Sequence, residues 1–108
     1  MNRKPPENAT ILPPSLHALF WEFDAGSLRL ESDRDLIVRR ILTRGRWADV
    51  QWLRRTLGDE AIRRWIVTTR GRPLDAPQLR FWQLVLDLPS PDVDAWLALP
   101  ERAVWDGR

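Results

Sequence analysis

The 108-residue sequence contains no cysteine, no tyrosine, one histidine (His17) and one lysine (Lys4). Without cysteine there are no disulfides and no thiolate metal sites. With one histidine, multi-histidine metal sites and histidine-based catalysis fall away, and no metal or cofactor is expected. No stretch approaches the roughly 18 apolar residues of a membrane-spanning helix. The start, Met1 to Asn8, is basic but lacks the apolar run of a signal peptide. These absences lead to the expectation of a cytoplasmic protein with a flexible lead-in over residues 1–11. The sequence pI near 10.3 sits beside a formal net charge of only +2. Nothing titrates between histidine and lysine, so a small surplus of arginine persists to high pH and inflates the pI.

What is present is a globular composition, 44% hydrophobic and 30% charged, at a length suited to one domain. Two residue types are over-used, with sixteen arginines and seven tryptophans. The arginines are unevenly spread. Residues 36–74 hold ten of them against Asp49, Asp59 and Glu60, whereas residues 81–108 hold two against five acids. The middle of the chain is a basic block, able to attract nucleic acid or an acidic protein face, or to be covered by the acidic end of the chain.

Hydrophobic spacing predicts an all-α domain, a compact bundle of five or six short helices over residues 12–99, followed by a tail over 100–108. Ser15 starts a short helix through about Trp21, and Asp24 to Ser27 is a turn. Ser32 as N-cap with Asp35 three residues on opens a helix to about Arg44, with Ile37, Val38, Ile41 and Leu42 on one stripe. Gly45, Gly58 and Gly71 mark helix ends. The helix from Trp47 to Leu57 turns Val50, Leu53 and Leu57 inward, and the next buries Ala61, Ile62, Trp65 and Ile66. Asp75 caps a helix whose Leu79, Phe81, Trp82, Leu84, Val85 and Leu86 cover most of its circumference, which predicts a central position. Ser90-Pro91 opens the last helix. The tetrapeptide Thr-Arg-Gly-Arg occurs at 43–46 and again at 69–72. Either a helical-hairpin repeat or the repeated use of glycine and arginine at helix ends produces it.

Catalytic groups are scarce. No serine lies in a nucleophile elbow and no glycine-rich loop opens a helix to hold phosphate. The pairs Asp33/Asp35 and Asp92/Asp94 sit in first turns, where capping accounts for them. A non-enzymatic protein is expected. Arg39, Arg63 and Arg64 each have an acid four residues earlier and read as solvated ion pairs. Arg40, Arg44, Arg46, Arg54, Arg55, Arg70 and Arg72 have no such local partner. Trp52 points away from the inner stripe of its own helix, and tryptophan beside arginine is typical of interface hot spots. The candidate partner- or nucleic-acid-binding residues are therefore Arg46, Trp52, Arg54, Arg55, Arg70 and Arg72. The string helix, Gly58, helix over 47–67 also fits a helix-turn-helix that reads nucleic acid. Arg54 and Asp59 stand where that motif has a small and an apolar residue, and a plain helical hairpin fits as well.

The stretches Leu12-Pro13-Pro14, Leu19-Phe20-Trp21-Glu22-Phe23-Asp24, Ile41-Leu42, Gly45-Arg46-Trp47, Val50-Gln51-Trp52-Leu53, Gly58, Ile62 and Phe81-Trp82 resemble, in order and spacing, an uncharacterised bacterial family of short proteins. Members of that family look like partners of nucleotidyltransferase-type toxins. The resemblance thus implies an antitoxin that binds and neutralises a partner protein. It supplies no binding residues and leaves out residues 89–108. A nucleic-acid-binding regulator is the alternative.

Overall fold

The computed structural model describes residues 10–102. Among them are five α-helices, α1 (Arg34–Arg44), α2 (Trp47–Leu57), α3 (Asp59–Thr69), α4 (Ala76–Leu86) and α5 (Ser90–Leu97), preceded by 3-10 helices at Pro14–Phe20 and Ala25–Ser27. The fold is all-α, as the spacing predicts. The described residues hold no strand, only an isolated antiparallel bridge between Ile11 and Arg29. No helix among them is long and apolar enough to cross a membrane.

The helix starts differ from the sequence reading in one instructive place. Ser32 does not cap α1. The N-cap position is Asp33, and its carboxylate turns backward to accept the Arg29 N–H at 2.9 Å and the Ser32 hydroxyl at 3.3 Å. Asp35, expected to close a capping box, instead accepts the Trp65 indole N–H at 3.0 Å and so ties α1 to α3. The cap at α4 is as expected and complete. Asp75 Oδ1 accepts the Gln78 N–H at 2.8 Å, and Gln78 Oε1 accepts the Asp75 N–H at 3.0 Å.

The core is built around α1. Its Ile37, Val38, Ile41 and Leu42 are all at most 5% exposed, and the helix packs on both α2 and the first 3-10 helix. Leu12, Leu16 and Phe20 close it from the N-terminal side, Val50 and Leu53 from α2, and Ile62, Trp65 and Ile66 from α3. Burying a side chain of this kind contributes about 1.5–3 kcal/mol, so a dozen fully buried residues outweigh any surface ion pair. The expectation that α4 is central is not met. It buries Leu79, Trp82 and Leu86 but leaves Phe81 and Leu84 exposed, Leu84 by 82%. Its apolar circumference exceeds what the other described residues cover.

Two features fix the stretch between α3 and α4. Gly71 has φ +65°, and a Cβ there would sit 2.8 Å from the Leu79 methyls, so a larger residue would strain the turn and displace Leu79. Arg102, in the segment read as a tail, is 2% exposed. It donates to the carbonyls of Gly71 at 3.1 Å and Leu74 at 2.7 Å, fastening the end of the described chain to that connection.

Candidate functional site

The six side chains singled out from the sequence do not come together. Arg46 lies at the start of α2 with its side chain 77% exposed, while its own N–H is held at 2.9 Å by the buried Asp49 carboxylate. Trp52 is half-buried against the core cluster, so much of its ring serves packing. Arg55 is exposed and has no ion pair among the described residues.

Arg54 has the partner that helical spacing did not suggest. Its Nε and Nη2 donate to Asp59 across the Gly58 turn at 2.8 and 2.9 Å, a bidentate pair. Those hydrogen bonds hold the Asp59 carboxyl below the usual range and raise Arg54 further above its own. Asp59 is therefore taken by Arg54 rather than by Arg63, which donates to the carbonyls of Leu86 and Asp87 instead. Gln51, Arg54, Arg55 and Asp59 rim only a shallow hollow of about 420 Å³.

Arg70 and Arg72 belong to a larger feature. They line an open groove of about 1070 Å³ together with Arg39, Arg40 and Arg44 from α1. Five guanidinium groups meet two carboxylates there, Asp75 and Glu101, a surplus of three positive charges. The C-terminal ends of α1 and α3 both reach the groove, and each contributes roughly half a negative charge. Asp35 and Glu22, just outside the lining, offset Arg39 and Arg40 as well, so the positive excess rests chiefly on Arg44 and Arg70.

These arginines differ in availability. Arg40 is committed to the fold, donating to the Leu19 carbonyl and the Glu22 carboxylate, with its guanidinium 5.6 Å from the Phe20 ring centroid. Arg39 pairs with Asp35 at 3.5 Å and Arg72 with Glu101 at 3.3 Å, all four side chains more than half exposed. Such pairs are worth about 0–1 kcal/mol and break readily in favour of a better partner. Arg44 and Arg70 have no ion pair among the described residues. Arg70 owes its outward position to the left-handed conformation, φ 55°, in which it ends α3.

The polar lining of the groove is mainly guanidinium. The hydroxyls of Thr43 and Thr69 are used internally, on the Arg39 and Ile66 carbonyls. No cluster of three or more potential metal-ligating side chains occurs among the described residues. What remains is a concave face with two open guanidinium groups and two more in weak surface pairs. It suits carboxylate or phosphate oxygens.

Comparison with known proteins adds one match. Residues 15–66 match a family model described as a family of unknown function (DUF6922). The chain is thus similar to an uncharacterised domain from the first 3-10 helix into α3, just under half its length. The match takes in Arg39, Arg40 and Arg44 of the groove but stops before Arg70 and Arg72. No curated protein and no solved structure matches the chain significantly.

Sequence reasoning left Arg39, Arg40, Arg44 and Glu101 out of the candidate site, although it noted that Arg40 and Arg44 lack a local acid, and it missed the exposed apolar face of α4. One sequence signal did point at the groove. Both copies of Thr-Arg-Gly-Arg lie on it, Thr43 and Arg44 from the first and Thr69, Arg70 and Arg72 from the second.

Proposed function

We propose that the chain is a non-enzymatic, antitoxin-like protein that binds and neutralises a partner protein by taking an acidic surface of that partner into the arginine groove. The observation that carries this reading is the convergence of Arg44 and Arg70, from two distant segments and without acid partners among the described residues, on one concave face. A nucleotidyltransferase-type toxin fits as the partner, because an acidic metal-binding pocket complements such a face. The resemblance noted in the sequence supplies the antitoxin role, and the groove supplies a means.

Nucleic acid is the weaker reading on this geometry. Asp75 and Glu101 interrupt the positive face, which a continuous phosphate backbone would have to cross. In a helix-turn-helix the start of the second helix meets base edges. Here that start carries Asp59 and Glu60.

Co-expression with the product of the adjacent gene tests the proposal. A single complex on a sizing column and restored growth are expected, and the double variant R44E/R70E should lose both while keeping its helical circular dichroism. A chain that elutes alone and restores nothing refutes the reading. Salt-sensitive binding to a labelled DNA duplex that vanishes in R44E/R70E would put the regulator in its place.

A further inference from the structure

The outer face of α4 carries more apolar surface than the described residues bury. Leu84 is 82% exposed, Phe81 is 40% exposed, and Trp47 of α2, 51% exposed, meets Phe81 edge-on with ring centroids 5.8 Å apart. A helix apolar round most of its circumference is normally covered on all sides. Scattered exposed hydrophobics need no explanation, but two large ones on one helix face with a third ring packed against one of them do.

The charges beside this face indicate what covers it. At about 100° per residue, Arg80 stands some 40° to one side of Leu84, and the backbone position of Asp87, which ends the helix in the left-handed conformation at φ 53°, some 60° to the same side. Phe81 stands about 60° to the other side. Consider two copies of α4 laid antiparallel about a two-fold axis at Leu84. That axis keeps each flank on its own side and reverses direction along the helix. Arg80, four residues before Leu84, then faces the second copy's Asp87, three residues after it, with an axial offset of about 1.5 Å. The same operation brings the two Leu84 side chains together and places the Phe81–Trp47 pairs along the opposite flank. The stripe is self-complementary in charge and in hydrophobicity, as an isologous contact requires.

Both charged groups have capacity for this contact. The Asp87 carboxylate makes no hydrogen bond or ion pair among the described residues. Arg80 gives Nη1 to Gln83 and Nη2 to Asp94, both at 2.7 Å, and its side chain is 46% exposed. Its remaining N–H donors stay available.

We propose that the chain forms a two-fold homodimer through the antiparallel pairing of α4, with Leu84 at its centre, Arg80–Asp87 pairs on one flank and Phe81 with Trp47 on the other. This surface is separate from the arginine groove. Three large side chains per copy make a contact smaller than a permanent interface, so the dimer exchanges with monomer and depends on concentration.

Sedimentation velocity and light scattering over roughly 10 µM to 1 mM test it. The mass should rise from the 12.7 kDa of one chain towards twice that value. L84E should weaken association by about tenfold or more, through a lost leucine and a carboxylate placed at the centre. R80D and D87R should each weaken it, and the double variant R80D/D87R should restore it, which simple destabilisation would not do. Circular dichroism confirms that each variant is folded. A monomer mass throughout, an unchanged mass for L84E, or a charge-swapped double variant no better than its singles overturns the proposal.

Discussion

Truncation of Arg102 should unfasten the connection between α3 and α4. The guanidinium is 2% exposed and donates to two backbone carbonyls, Gly71 at 3.1 Å and Leu74 at 2.7 Å. Hydrogen bonds from a charged donor contribute about 1.5–3 kcal/mol each. In R102A the Leu74 carbonyl loses its guanidinium donor and the Gly71 carbonyl keeps only the Leu74 N–H at 3.0 Å, and both carbonyls belong to buried residues. Water reaching the freed Leu74 carbonyl recovers part of the loss, so the net effect should be about 3 kcal/mol. At roughly 4–8 °C per kcal/mol for a domain of this size, the melting temperature should fall by about 12–24 °C. R102K keeps the charge but not the fork that spans two carbonyls, and should lose about half as much. R72A, which removes only the exposed pair with Glu101, should stay within about 0.5 kcal/mol of wild type. Urea unfolding followed by far-ultraviolet circular dichroism gives the midpoints and slopes. An R102A midpoint equivalent to less than about 0.5 kcal/mol of change would refute the view that this contact anchors the connection.

Two further outcomes follow from local geometry. G71A should cost about 1–3 kcal/mol in the same unfolding assay, since it combines φ +65° with a Cβ 2.8 Å from Leu79, while G58A, with φ +95° but open space around it, should cost less. Acid should weaken the turn between α2 and α3. Asp59 is depressed in the folded state by its bonds from Arg54, so its contribution is full above the ordinary carboxylate range and fades as pH falls through the folded value. D59N should flatten that part of the stability-against-pH curve, by a small amount because the pair is partly exposed and screened by water.

Much of the fold could be read from spacing. The stripe Ile37, Val38, Ile41, Leu42 is buried throughout, and so are Ile62, Trp65 and Ile66 of α3. Helical periodicity reports which residues share a face, and in α1 and α3 that face is the one buried. It failed at α4, where pattern alone cannot separate a helix covered by its own chain from one covered by another molecule. The caps were legible where side chain and backbone are neighbours, as at Asp75, and not where the carboxylate has a competing partner, as at Asp33 and Asp35. The groove was half legible. Arg70 and Arg72 stood out because no acid lay four residues before them, but the same rule misjudged Arg54, whose partner is five residues later across a turn. That Arg39 and Arg44 face Arg70 and Arg72 depends on how α1 packs against α3, which no local spacing encodes.

The unequal burial of the indoles makes the fold optically resolved without labels. Trp65 and Trp82 are 8% and 2% exposed, whereas Trp21 is 79% exposed and Trp47 half so. Emission from the buried pair follows the core, and a soluble quencher reaches Trp21 first. Trp47 stands beside the α4 face, so its shielding from quencher reports what comes to rest there. With no tyrosine in the chain, the near-ultraviolet spectrum belongs almost wholly to these rings.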